Sequence, residues 1–169
     1  ALAAADARGM AEALRGAGYA ELDQVVLIDG QATKTVVESK LRRTIRSLAA
    51  EDTLLVFVSA HGFADRGQDY LVCHDTQAAD LVATSVSWQS IVDQLRGAEC
   101  ERVICFVDTC STGLNLENEF EPVTQNELRE HFSDHPQHVC LASCSPGETF
   151  AAYGEVVWSW RRDPGATLL

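Results

Sequence analysis

Two residues of complementary chemistry stand just beyond strand-like runs. His61 follows Thr53 to Ser59 (TLLVFVS), and Cys110 follows Arg102 to Val107 (RVICFV) by three positions. A thiol with a pKa of about 8.5 is only slightly ionised at neutral pH, so a neighbouring imidazole governs its reactivity. His61 can take the Cys110 proton and later give it to a leaving amine, acting first as base and then as acid. Gly62 lets a substrate approach the backbone closely, and its N–H together with that of Cys110 can bind the oxyanion of a tetrahedral intermediate. Each residue also has a structural reading, as a satisfied strand-end histidine or a packing cysteine. Small residues and a glycine after each member favour the pair, but pattern and spacing alone leave both readings open.

The elements that must position this pair alternate between helical and strand periodicity. Ala7, Met10, Ala11 and Leu14 recur at helical spacing behind Asp6, which suits an N-cap, and Gly16 and Gly18 stop that helix. Val25 to Ile28 reads as a short strand ended by Asp29-Gly30. Val37, Leu41, Ile45 and Leu48 line one face of a second helix starting near Thr33 or Thr35, whose Lys40, Arg42, Arg43 and Arg46 form a solvated face. The runs 53–59 and 102–107 are apolar throughout, as strands covered on both faces are. Further strands are predicted at 70–73, 138–143 and 154–160, and further helices at 87–95 and 123–132. The sum is an α/β three-layer sandwich with a mostly parallel sheet flanked by helices. Ligands in such sheets bind beyond the carboxyl ends of the strands, where His61 and Cys110 stand.

The chain has 169 residues and a formal net charge of −12, which argues against a nucleic-acid partner and favours basic substrates. No apolar run approaches a membrane span, and residues 1–20 do not read as an export signal, so a cytoplasmic, reduced setting is expected. The six cysteines are then free thiols rather than a disulfide framework. Phosphate-loop, dinucleotide-binding and zinc-helix motifs are absent. A phosphatase-type Cys-x5-Arg fails because Leu116 holds the arginine position. Cys140-x3-Cys144 with His138 lacks the second cysteine pair of a structural zinc site, so no metal is assigned. Glu117, Glu119 and Glu121 could bind calcium, but an exposed charged loop is the preferred reading; no cofactor is assigned, and a calcium requirement is left open.

Ser59-Ala60-His61-Gly62 and Asp108-Thr109-Cys110-Ser111-Thr112-Gly113 resemble the His-Gly and Asp-x-Cys-x-x-Gly signatures of clan CD cysteine peptidases. The nearest likeness is to prokaryotic caspase-like enzymes, metacaspases and the C14 peptidases. The separation of 49 residues (110 − 61) is close to the roughly 50 of caspases. Asp6-Ala7, Gly18-Tyr19, Ala32-Thr33, Ala142-Ser143-Cys144 and Val157 to Trp160 are similar to further family landmarks, so the resemblance extends over most of residues 2–160. Ala60 stands where the family usually has glycine.

The resemblance implies a cysteine endopeptidase with His61 and Cys110 as catalytic dyad, and Gly62 and Cys110 amides as oxyanion hole. It also implies an S1 pocket lined by Asp6, Ser59 and Asp108. Two carboxylates would pair with an Arg or Lys side chain, so cleavage of protein substrates after basic residues is expected. Asp6 as a helix cap, and Asp108 and Ser59 as turn-bonding groups, are the structural alternatives. Residues 1–169 are expected to form a single caspase-like domain within a longer protein, since the family has a strand before the Asp-Ala helix and further elements after Trp160. No Lys or Arg lies between Arg102 and Arg129, so activation by a partner or attached domain is expected rather than loop processing. The alternatives are an inactive caspase-homology scaffold and a CHAT-type peptidase. Family habit suggests a bacterial defence role.

Overall fold

The β-branched and aromatic run that starts at Thr53 forms the central strand of a five-stranded sheet in the computed structural model, which describes residues 2–17, 26–110, 124 and 126–143. Strand β1 (Thr53–Asp65) pairs in parallel with β4 (Arg102–Cys110), and β4 pairs in parallel with β5 (His138–Ala142). On its other side β1 pairs antiparallel with β2 (Gln68–Leu71), which pairs antiparallel with β3 (Val86–Ser87). The order is β3-β2-β1-β4-β5. The sheet is therefore mixed, and the expectation of a mostly parallel one holds only for the half that carries the candidate site.

Helices α2 (Lys34–Ser47), α4 (Trp88–Arg96) and α5 (Asn126–Asp134) cover one face of the sheet. Their Ile45, Trp88, Ile91, Val92, Leu95 and Leu128 pack against Leu54, Val103, Cys105 and Val107, with Val56, Val58 and Ala60 joining partly buried. Helix α1 (Leu2–Gly16) packs against β1 yet contributes nothing to that cluster. Since β1 is a central strand, α1 lies over the opposite face. A short helix, α3 (Leu81–Thr84), precedes β3 and is capped by the Asp80 carboxylate, which accepts from the Ala83 N–H at 3.3 Å. Among the described residues no helix is long and apolar enough to cross a membrane.

Local chemistry explains most boundaries. Ser87 caps α4 through its hydroxyl, which accepts from Ser90 N–H at 3.1 Å. At α2, Thr33 holds the N-cap position, but the Lys34 N–H donates to the distant Asp75 carboxylate at 2.8 Å. Lys40, Arg42, Arg43 and Arg46 of α2 are all exposed, as a solvated helix face requires. The α5–β5 junction is made of imidazoles: His131 is fully buried, and burial together with His135 and His138 pushes its pKa down to about 4.

Three expectations are corrected. Strand β1 does not end at Ser59; it runs through Ala60-His61-Gly62 to Asp65 and turns tightly at Arg66-Gly67 into β2. Both turn residues have positive φ, 51° and 77°, the requirement of a two-residue hairpin turn that follows strand twist, and the glycine meets it without strain. Residues 26–28 are not in a strand: Ile28 is extended, but no ladder partner adjoins it among the described residues. Asp6 is not an N-cap, because α1 starts at Leu2 and the alanine-rich stretch before Asp6 is already helical. The strand predicted at 154–160 and the loop of Glu117, Glu119 and Glu121 lie outside the described residues.

Candidate active site

The β1–β4 ladder pairs Ser59 with Asp108, Ala60 with Thr109, and His61 with Cys110. Partnered positions in a parallel pair lie on the same face, and faces alternate along a strand. Positions 59, 61, 108 and 110 therefore form a two-by-two block on one face, at the carboxyl end of β4 and of the parallel β1–β4 ladder, while β1 itself continues to Asp65. Ala60 and Thr109 fall between them on the other face, where Ala60 packs on the core and Thr109 is fully buried. The core-facing residues of β1 and β4 thus fix the register of the block. A one-residue slip would put Ala60 beside Cys110 and bury a polar residue.

Exposure within the block is graded. Ser59 and Asp108 are half-buried, and His61 is exposed. The His61 carbonyl accepts from the Val72 N–H at 2.9 Å, which ties this residue's backbone to the β2 side. Successive strand residues turn their amides to opposite neighbours, so the Gly62 N–H is turned to the β4 side, next to Cys110. Gly62 itself is buried and registers with Leu71.

Asp108 has a partner that the strand motifs did not reveal. The Ser143 hydroxyl, one residue past β5, donates to Asp108 Oδ1 at 2.6 Å. The Ser143 N–H in turn donates to the Val107 carbonyl at 2.9 Å, so the backbone holds this serine beside the acid. A charge-assisted bond of this length orients the carboxylate and leaves its second oxygen available to a cation. Asp6 stands exposed on α1, the helix over the same face of β1.

The remaining described thiols contrast with this block. Cys73, Cys100, Cys105 and Cys140 are free. Burial pushes Cys105 up to about 12 and Cys140 up to about 11, with Cys140 adding to the shift at Cys105. Burial, and then Asp75, pushes Cys73 up to about 11. Such groups are protonated and inert at neutral pH. Cys144 lies outside the described residues.

No curated protein and no solved structure matches the chain. A family model, the caspase domain of the C14 peptidases, matches residues 2–160, from the start of α1 past β5. Nearly the whole chain being matched, the protein belongs to the caspase-domain family of cysteine peptidases.

Proposed function

We propose that the protein is a cysteine endopeptidase that cleaves after Arg or Lys, with His61 and Cys110 as its dyad. The reading is carried by one observation: His61 and Cys110 are register partners at the end of the parallel β1–β4 ladder, with Ser59 and Asp108 as the next partners on that face. His61 removes the proton from the Cys110 thiol, and the thiolate sulfur attacks the scissile carbonyl carbon. The carbonyl oxygen becomes an oxyanion, which the Gly62 and Cys110 N–H groups stabilise. The C–N bond then breaks, and the imidazolium gives its proton to the departing amine. Water attacks the resulting thioester with His61 again as base, releasing the new carboxyl terminus and the free thiol.

Specificity is assigned to Asp108, with Ser59 beside it. A carboxylate held on one oxygen by Ser143 meets an incoming guanidinium or ammonium with its other oxygen. Asp6 on α1 supplies a second negative charge toward the same cation, and the net charge of −12 favours basic substrates at longer range. The absence of Lys and Arg over residues 103–128 supports activation by a partner or an attached domain over cleavage within that stretch.

The test is a fluorogenic peptide panel with Arg, Lys, Asp or Leu at P1, run on the full-length protein with and without calcium. Cleavage after Arg and Lys alone is the expected result, and a Cys110→Ala control should be silent. Cleavage after Asp would keep the dyad and overturn the pocket. A thiol at Cys110 that alkylates no faster than an unactivated cysteine would overturn the dyad and favour a scaffold.

A further inference from the structure

Three of the chain's five histidines fall within eight residues, as His131-x3-His135-x2-His138. His131 lies in α5, His135 follows its last residue, and His138 opens β5. The four-residue spacing puts His131 and His135 on one side of the helix, as in helical zinc-binding pairs. Pro136 ends the helix, and the turn closes with the His138 N–H donating to the His135 carbonyl at 2.9 Å. The three rings are thereby gathered, with centroids 4.4, 5.1 and 4.9 Å apart. One nitrogen from each ring lies within 4.8 Å of the other two. A tetrahedral ion with bonds of about 2.0–2.1 Å needs such nitrogens roughly 3.3 Å apart, a small closure of the observed set.

Two details favour a ligand set over a stack of core histidines. His135 Nδ1 lies 2.8 Å from the His131 carbonyl, which can only accept, so Nδ1 carries the proton and Nε2 keeps its lone pair. This is the backbone bond that commonly orients a metal-binding imidazole. His131, fully buried, leaves Nδ1 without a partner, and its Nε2 is satisfied only by His138 Nδ1 at 3.0 Å. A fully buried polar ring served only by another imidazole is unusual unless something else completes the site.

We propose that His131, His135 and His138 bind a divalent transition-metal ion of the zinc class. Nitrogen donors suit zinc, copper or nickel and not calcium or magnesium, so this site is distinct in chemistry from any acidic-loop calcium site. It is also distant from the dyad. His138 is the register partner of Val103, seven residues before Cys110 on β4, or about 23 Å at roughly 3.3 Å per residue. The ion acts by clasping the end of α5 to the start of β5. At its other end α5 is tied to β2, where Glu127 Oε1 accepts from the Asp69 N–H at 3.2 Å, so a fixed helix stabilises the closed face.

Metal-stripped protein, in a Cys110→Ala background that removes the dyad thiol as a competing ligand, is titrated with Zn2+ and separately with Co2+. One equivalent should bind, raising Tm by mass action. The cobalt complex should give tetrahedral ligand-field bands without thiolate charge transfer. His135→Gln and His138→Gln, both at partly exposed sites where folding survives, should each weaken binding by roughly 10- to 100-fold or more. Unchanged affinity in the double variant, a thiolate band, or a Tm that does not respond to Zn2+ would each overturn the site. So would an equal response to Mg2+.

Discussion

On one face of the sheet, Val103, Cys105, Val107 and Thr109 of β4 are between 0% and 3% exposed. On the other, Ile104, Phe106 and Asp108 are half-buried, and their neighbours Val139 and Leu141 on β5 are 49% and 52% exposed. The same two strands thus serve as a sealed wall under α2, α4 and α5, and as a platform that carries the candidate dyad. Burial removes chemistry from the first face: it pushes the Cys105 thiol up to about 12, so the group stays protonated at neutral pH. The second face is the accessible one, and it is there that the candidate dyad stands. Position 110 differs from position 105 in which side it faces and in the histidine paired with it.

The sharpest way to break this comparison is to exchange the consequences of substitution. Cys110→Ala should lower peptidase activity by about 10⁴-fold or more while leaving Tm and the circular dichroism spectrum unchanged. Leu95→Ala, at a position 1% exposed on the sealed face, should cost about 2–5 kcal/mol in denaturant unfolding. Its kcat/KM should hold wherever the protein remains folded. If Cys110→Ala unfolded the protein, or Leu95→Ala left stability intact, the division of labour between the faces would be wrong.

A smaller effect probes the pocket. Asp108→Asn keeps the size of the side chain and removes its charge, so kcat/KM on Arg and Lys substrates should fall roughly 10- to 150-fold. Turnover of P1-Leu peptides should not fall in proportion. Uniform loss across P1 types would make Asp108 a structural residue. Smaller still, Ser143→Ala removes one hydrogen bond at 2.6 Å from that carboxylate. The expected change is tenfold at most, confined to basic P1 residues, and Ser143→Thr should restore most of it.

What the sequence displays and what it conceals divide along physical lines. The strand runs at 53–59 and 102–107 are legible because β-branched and aromatic density is a local property. His61 and Cys110 are legible because each is flanked by small residues at the end of such a run. The continuation of β1 to Asp65 is hidden, since it depends on Arg66 accepting a positive φ and on β2 folding back against Phe63 and Ala64. Apolarity alone predicts a strand at Val25 to Ile28, whereas among the described residues 26–28 have no ladder partner. The bond between Ser143 and Asp108 exists only once β4 and β5 are in register, 35 residues apart in the chain. His138 illustrates the same limit. Beside Cys140 and Cys144 it suggests an incomplete zinc motif, whereas the turn at Pro136 brings it to His131 and His135.

The central claim is that Cys110 is activated by its register partner and reads a basic residue through Asp108. An electrophilic peptide ketone with Arg at P1 tests all of it in one labelling experiment, read by intact mass and peptide mapping on the full-length protein. The account predicts one label, on Cys110, with Cys73, Cys105 and Cys140 untouched at neutral pH because their thiols stay protonated. His61→Ala should abolish that label, and an otherwise identical probe with Asp at P1 should leave Cys110 unmodified. Label distributed over several cysteines, label that survives His61→Ala, or preference for the Asp probe would contradict the account.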